Sequence, residues 1–432
     1  LLSESQERML IVAARGREAE LQRIFAKWEL DAVGIGEVIK GGELVVRHRS
    51  EEVAHVPIEA LAEAPVYEKP FAAPAWLAEC NAFDPLSLPE PADFGEALEQ
   101  LLASPTIASK QWAFRQYDQQ VGINTLVLPG SDAAVLRVKG TRRAIAVATD
   151  GNGRHVLLEP RRGAAMAVCE AARNVSCAGA QPLGVTDCMN FGSPERPDIL
   201  WQFAEAIEGI AAACRALELP VVGGNVSLYN ETSGAAILPT PIIGVVGLLE
   251  DARLLATQWF KGAGERIALL GPEAVSLGGS EFLWTRHARL AGTLAPLDLE
   301  TERRVQGAVR AAIGAGLVTA AHDCAEGGLA VTLAEACVTG REPVGCEVTL
   351  PEGARRDLTL FGEGPSRVVV SVTGSRQREF EALMAESAIP WRWLGTTGGG
   401  RLRLRVGSAT IVDLGLDRVE HAWRNGFERH MA

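Results

Sequence analysis

The chain has 432 residues, 47% of them hydrophobic and 22% charged, with a formal charge of −12. That length holds roughly two to four domains with real cores, and the composition is that of an ordinary globular protein. The acidic balance argues against a nucleic-acid surface, and no run of eighteen apolar residues suggests a membrane span. The eight cysteines include no C-x-x-C pair, which removes the usual zinc and thioredoxin-type readings and points to reduced thiols in a cytoplasmic protein.

Residues 8–62 read as strand, helix and three strands. MLIVAA is a short apolar run, AELQRIFAKW has helical spacing, VGIGEVI and ELVVRH flank a Gly41-Gly42 turn, and VAHVPI closes the unit. Residues 63–111 read as a Pro-rich linker with connecting helices. Residues 112–252 alternate strands (TLVLPG, AAVLRVKG, RAIAVATDG, PLGVTDCMNFG, PVVGG, IIGVVGLL) with helices (PRRGAAMAVCEAARNVSCAGA, DILWQFAEAIEGIAAACRAL), the pattern of an α/β domain. A last α/β domain is expected over 264–425, with helices at 300–315 and 327–338.

The opening unit recurs near the end. Glu4 to Val12 (ESQERMLIV) aligns with Glu363 to Ser371 (EGPSRVVVS), and Arg8 falls on Arg367. Residues 17–28 align with 376–387, and GGELVVRHRSEEVAHVPIEAL at 41–61 aligns with GGRLRLRVGSATIVDLGLDRV at 399–419. One gap in such a stretch marks an internal repeat. The second copy has a long stretch of apparently the same domain before it and the first has almost none, so residues 1–62 are expected to be the tail of a domain that begins upstream of Leu1.

The densest polar cluster is Gly223-Gly224-Asn225-Val226-Ser227-Leu228-Tyr229-Asn230-Glu231-Thr232, expected as a loop leaving a buried strand. Two glycines let backbone amides approach an anion, Asn225 offers a neutral oxygen suited to a Mg²⁺ shell, and Ser227 offers a compact hydroxyl. A β-turn capped by Asn and Ser explains the same residues without a ligand. Asp187, in VTDCMNFGSPE, either contacts a ribose or metal or caps a turn. Glu4-Ser5-Gln6 reads by itself as ordinary loop. His322-Asp323 and Glu326-Gly327-Gly328 resemble a site, yet Asp323 or Glu326 serve equally as helix-start residues before GLAVTLAEA, which is the preferred reading. No Walker-type phosphate loop, G-x-G-x-x-G after a strand, G-x-S-x-G elbow or H-E-x-x-H is present.

Taken together, SESQERM, TDCMNFGSPE, GGNVSLYNET with PTPIIGVVG, HDCAEGGLAVTLAE and LFGEGPSRVVVSV closely resemble the phosphoribosylformylglycinamidine synthase family, in its small, stand-alone synthetase form. The resemblance runs from Leu1 to about residue 425. It implies a tandem duplication of aminoimidazole-ribonucleotide-synthetase-like halves, each with an N-terminal and a C-terminal α/β domain, and so accounts for the repeat. It also implies a ligase that converts formylglycinamide ribonucleotide, ATP and ammonia to the amidine in purine biosynthesis. There ATP phosphorylates the amide oxygen and ammonia displaces the phosphate.

By the same resemblance Glu4, Ser5, Gln6 and Ser227 would bind the nucleotide substrate, Asp187 and Gly224 would contact ATP, and Asn225 would bind Mg²⁺. No catalytic residue transfers to this chain, because the family's catalytic histidine is expected in the missing N-terminal half. The chain alone is then expected to be inactive. Its expected partners are that half, a separate glutaminase subunit supplying ammonia, and a small accessory subunit. The competing readings are a non-catalytic nucleotide-binding scaffold and another ATP-dependent member of the superfamily. The repeat counts against the latter, since such members have one half.

Overall fold

A computed structural model describes residues 7–63, 68–352 and 355–431. They form two compact units that divide between Glu68 and Lys69.

The first unit holds helix α1 (Glu18–Ala26), strands β1 (Glu43–His48) and β2 (Glu51–Pro57), and a short helix α2 (Ile58–Ala62). The two strands pair antiparallel around Arg49 and Ser50, both at positive φ (51° and 70°), the geometry that matches the twist of a tight hairpin. Neither helix buries a residue. The strands expected at MLIVAA and VGIGEVI do not form, and Met9 is 87% exposed. The repeat supplies the reason. Val368–Val372, in the second copy, is a buried strand held between two antiparallel neighbours. Among the described residues of the first unit, no strand stands beside residues 8–14 to complete their backbone hydrogen bonds.

The second unit opens with helices α3 (Trp76–Ala82), α4 (Phe94–Leu102) and α5 (Gln111–Phe114). A first domain follows: β3 (Thr125–Val127), β4 (Ala134–Arg137), β5 (Ala144–Asp150), α6 (Gly153–Leu158), α7 (Pro160–Cys177), β6 (Gln181–Asn190), α8 (Pro197–Ala216), β7 (Val221–Ser227), the small hairpin β8 (Glu231–Thr232) and β9 (Ala235–Ala236), and β10 (Thr240–Leu249). Its sheet runs β3-β4-β5-β10-β6-β7, antiparallel except for the β6–β7 pair at one edge. The alanines of α7 let it lie close on the sheet and on α8. A Cβ added to Gly209 of α8 would sit 2.8 Å from the Arg161 carbonyl carbon of α7. Strand alternation sends Val135, Ala146, Val185, Ile243 and Val245 into this core. It turns Leu136, Ile145, Leu183, Val222, Ile242 and Val246 to solvent, so both faces of the sheet carry apolar side chains.

The second domain comprises β11 (Arg266–Leu270), α9 (Glu281–His287), α10 (Leu299–Gly314), β12 (Ala320–Asp323), α11 (Gly328–Val338), β13 (Cys346–Leu350), α12 (Arg356–Phe361), β14 (Val368–Val372), α13 (Gln377–Ser387), β15 (Trp391–Thr397), β16 (Arg401–Val406), β17 (Ala409–Gly415) and α14 (Leu416–Met431). Its sheet runs β12-β14-β11-β15-β13-β16-β17 and is covered on both faces. Val305, Val309, Phe380 and Met384 of α10 and α13 meet one side. On the other side Leu329 and Leu333 of α11 and Val419 and Trp423 of α14 pack with Phe94, Leu98 and Leu101 of α4. That two-sided burial is why VVVSV is apolar without alternation. The eight cysteines are free, and all but Cys80 and Cys188 are buried.

Candidate functional site

The parallel strands β6 and β7 form one edge of the first domain's sheet, and β7 is exposed up to a half-buried Ser227. Their register sets Asp187 beside Gly224, Cys188 beside Asn225 and Asn190 beside Ser227. Asp187, Gly224, Asn225 and Ser227 are therefore brought together on two adjacent strands. The expected loop at Gly223–Ser227 is strand instead, because the ten-residue β6 offers a ladder as far as Asn190. Asp187 lies inside β6 and caps no turn. Glu4, Ser5 and Gln6 lie outside the described residues.

Local contacts show why these residue types stand here. A Cβ on Gly224 would overlap the Asp187 carboxylate and sit 2.8 Å from the Asp187 carbonyl oxygen. Only glycine lets the strands close with the carboxylate between them. Partial burial raises the Asp187 carboxyl above its ordinary value. The Asn225 amide donates from Nδ2 to the Cys188 sulfur at 3.9 Å, and among the described residues its Oδ1 accepts no hydrogen bond. Ser227 Oγ donates to Asn230 Oδ1 at 3.2 Å, and Asn230 Nδ2 donates to the Phe191 carbonyl at 3.0 Å, which fixes the turn beyond β7. Strand alternation sends the Asp187 carboxylate to the helix-covered side of the sheet and Asn225 and Ser227 to the other, where the Asn225 amide oxygen is a hard donor of the kind Mg²⁺ takes alongside water and phosphate.

A second polar constellation is buried between the two domains; the sequence points to its His322, Asp323 and Glu326 as a possible site but not to Arg173, Glu170, Asp150 or Glu302. Arg173 of α7, 1% exposed, donates from Nη1 to both carboxylate oxygens of Glu302 at 3.0 Å and from Nη2 to Asp323 Oδ2 at 3.4 Å. Glu170 Oε2 is 3.6 Å from Nη2. Burial alone would lower the Arg173 pKa, but Glu302, Asp323 and Glu170 together raise it well above the usual value. Burial, and then neighbouring carboxylates, raise Asp150 and Glu170 well above the carboxylate range. Asp323 is pushed up to about 7 by burial, against the pull of Arg173.

Beside this cluster, His322 Nδ1 meets Asp132 Oδ1 at 2.7 Å and its Nε2 meets Glu335 Oε2 at 3.2 Å. Burial would lower the His322 pKa, yet the two carboxylates hold it well above its ordinary value. The ring is thus an imidazolium clamped from both domains. The preferred helix-start reading of Asp323 and Glu326 fails here. Gly327 is the N-cap of α11 at φ 79° with no side-chain cap, Asp323 bonds Arg173, and Glu326 Oε1 accepts from Asn152 Nδ2 at 2.9 Å. Charged Glu170 and Arg173 inside an Ala-rich apolar helix were the available signal, since such groups are buried only when paired. The cavity lined by His155, Glu170, Arg173, Glu326 and Glu363 holds ≈ 10 Å³, room for about one water and none for a nucleotide. Among the described residues, the open β6–β7 edge is the stronger candidate.

An open mixed sheet with a polar strand edge, joined to a two-sided mixed sheet, makes this a two-domain α/β protein, and both domains match models of the AIR synthase related family. The family's N-terminal domain model matches residues 130–249 and its C-terminal domain model matches residues 1–49 and 262–407. The chain belongs, more narrowly, to the phosphoribosylformylglycinamidine synthase family. It is 46% identical over 433 residues to phosphoribosylformylglycinamidine synthase subunit PurL of Moorella thermoacetica, covering 100% of this chain and 59% of that protein. The chain therefore spans less than two thirds of this relative's length. Among solved structures it resembles T. maritima PurL complexed with ATP (TM-score 0.57, 23% identity, 92% of this chain and 56% of that one). It also resembles T. maritima PurL complexed with FGAR (TM-score 0.61, 18% identity, 77% and 54%). At those identities the structures establish the fold. Among the described residues no helix is long and apolar enough to cross a membrane.

Proposed function

We propose that this chain supplies part of the active site of a cytoplasmic, ATP-dependent ligase of purine biosynthesis, which converts formylglycinamide ribonucleotide and ammonia to the amidine. The observation that carries the reading is the β6–β7 edge, where Gly224 packs on Asp187 and the Asn225 amide oxygen and the Ser227 hydroxyl follow in register. The PurL relative and the T. maritima PurL complexes with ATP and with FGAR support the same chemistry.

In this reading Asp187 and Gly224 contact ATP, Asn225 Oδ1 helps hold Mg²⁺ and Ser227 orients the ribonucleotide; Glu4, Ser5 and Gln6 are assigned to ribonucleotide binding by the family resemblance alone. Bound Mg²⁺ offsets phosphate charge during phosphoryl transfer. The chain's own contribution is positioning: Gly224 leaves the space, and the strand ladder fixes the spacing of three side chains. No histidine here is assigned to acid–base catalysis. Both ring nitrogens of buried His322 are engaged by carboxylates. A further portion of a longer protein, covering the apolar sheet face and carrying the catalytic histidine, completes the reading. A separate glutaminase subunit and a small accessory subunit would serve ammonia delivery.

The test is ammonia-dependent ADP release with formylglycinamide ribonucleotide, for this chain alone and mixed with the N-terminal portion of a full-length relative. Turnover only in the mixture supports the proposal. Turnover by the chain alone overturns the placement of the acid–base group. ATP binding without turnover in either favours a nucleotide-holding scaffold.

A further inference from the structure

We propose that Cys188 is a positioning residue that sets the orientation of the Asn225 side-chain amide. The inference rests on the reading of Asn225 as a cation ligand and goes beyond it. Register places the two residues opposite one another on β6 and β7. Asn225 Nδ2 donates to Cys188 Sγ at 3.9 Å, and the Cys188 thiol donates to Asn190 Oδ1 at 4.0 Å.

Asn190 is itself anchored. Its Nδ2 donates to the Cys188 carbonyl at 2.9 Å and to the Thr240 carbonyl on β10 at 3.1 Å, and lies 3.7 Å from the sulfur. With the thiol proton directed to Asn190, the sulfur presents a lone pair to Asn225, and of the amide's two ends only the NH₂ can donate to it. The exposed amide of Asn225 has two opposite ends. Committing its nitrogen to the sulfur turns its oxygen outward, the end that a hard cation requires. Without Cys188 the amide can flip and present its NH₂ group to the cation. The side chain at 188 thus acts on a ligand it does not replace.

Two measurements on this chain test the inference. In protein labelled with ¹⁵N-asparagine, the Asn225 side-chain NH₂ signal, identified by its loss in Asn225→Ala, is compared in the wild type, Cys188→Ser and Cys188→Ala. A hydroxyl both donates and accepts, so Cys188→Ser keeps the wild-type proton protection and Cys188→Ala loses it. Mn²⁺ binding in the presence of ATP, followed by electron paramagnetic resonance, weakens about 2- to 10-fold in Cys188→Ala, the size of one modest hydrogen bond. It stays within about twofold of wild type in Cys188→Ser, and Cys188→Ala adds nothing in an Asn225→Ala background.

An Asn225 signal that ignores Cys188→Ala overturns the positioning role. Mn²⁺ binding that ignores Asn225→Ala overturns the ligand role on which it rests, and the two failures are read separately. Thermal midpoints are measured alongside. A loss in Cys188→Ala confined to melting, with protection and Mn²⁺ affinity unchanged, marks a structural thiol only and also overturns the inference.

Discussion

Replacing Arg173 with leucine removes a guanidinium that is 1% exposed and bonded to a fully buried Glu302 and to Asp323, with Glu170 at its side. Removing one partner of a buried ion pair costs about 3–5 kcal/mol, because the other charge is left without compensation. Here three carboxylates lose the same partner, which argues for the upper end. At roughly 2 °C per kcal/mol for a unit of this size, the melting midpoint should fall by about 6–10 °C near pH 7. The loss has a pH signature. Asp323 in the fold holds its proton up to about 7, whereas unfolded Asp releases it near 3.9. Its contribution to stability is full below the unfolded value and is lost as pH rises through the folded one. Without Arg173 the carboxylates take up protons more readily, so the gap to wild type should narrow between pH 7 and pH 5. Calorimetric or circular-dichroism melts of wild type, Arg173→Leu and Arg173→Leu/Glu302→Leu supply the comparison. The double variant should recover part of the loss, since an apolar pair leaves fewer charges uncompensated. A loss under about 1 kcal/mol, or one that is the same at pH 5 and pH 7, would refute the view of Arg173 as the counter-ion of this cluster.

Three further outcomes follow from the geometry. Gly224→Ala places a methyl against the Asp187 carboxylate and carbonyl; overpacking costs about 1–3 kcal/mol, and equilibrium dialysis should show ATP binding lost more completely than stability. The proton on His322, held by Asp132 and Glu335, stabilises the fold fully below the unfolded value near 6.5 and progressively less as pH rises through the folded value. Melts of His322→Gln should therefore differ most from wild type at acid pH and converge with it in alkali, and a constant difference would count against the clamp. Asn225→Ala in a full-length protein should abolish ammonia-dependent turnover while changing stability by only about 0.5 kcal/mol, the usual scale for an exposed site; intact turnover would remove Asn225 from the site.

Where local pattern decides structure, the sequence was legible. The helical period of residues 160–177 and 197–216 and the short apolar runs of both sheets became α7, α8 and their strands. It misled where pairing decides. Glycine and asparagine at 223–227 have turn preferences, yet a long neighbouring strand held them in a ladder. MLIVAA has strand composition, and a strand without neighbours cannot satisfy its backbone. Of the candidate site, Asp187, Asn225 and Ser227 stood out as polar residues after apolar runs and Gly224 as a small one, while their register on adjacent strands needed the structure. Asp323 stood out in the sequence, but its Arg173 partner was hidden because the cluster's members come from both domains and only the fold assembles them.

The seat of α4 bears on how the chain is made. Glu99 on that helix pairs with Arg418 on α14, 319 positions later, and Leu98 shares a core with Val419. At synthesis rates of about 5–20 residues per second, α4 leaves the ribosome about 15–60 s before the helix that completes its burial. Its leucines stay without their final partners while the whole intervening domain is translated. A gene fragment cut at the first strand of either sheet would separate the two helices. Excision of the last domain should therefore succeed only when residues 93–103 are restored, in cis or as an added peptide.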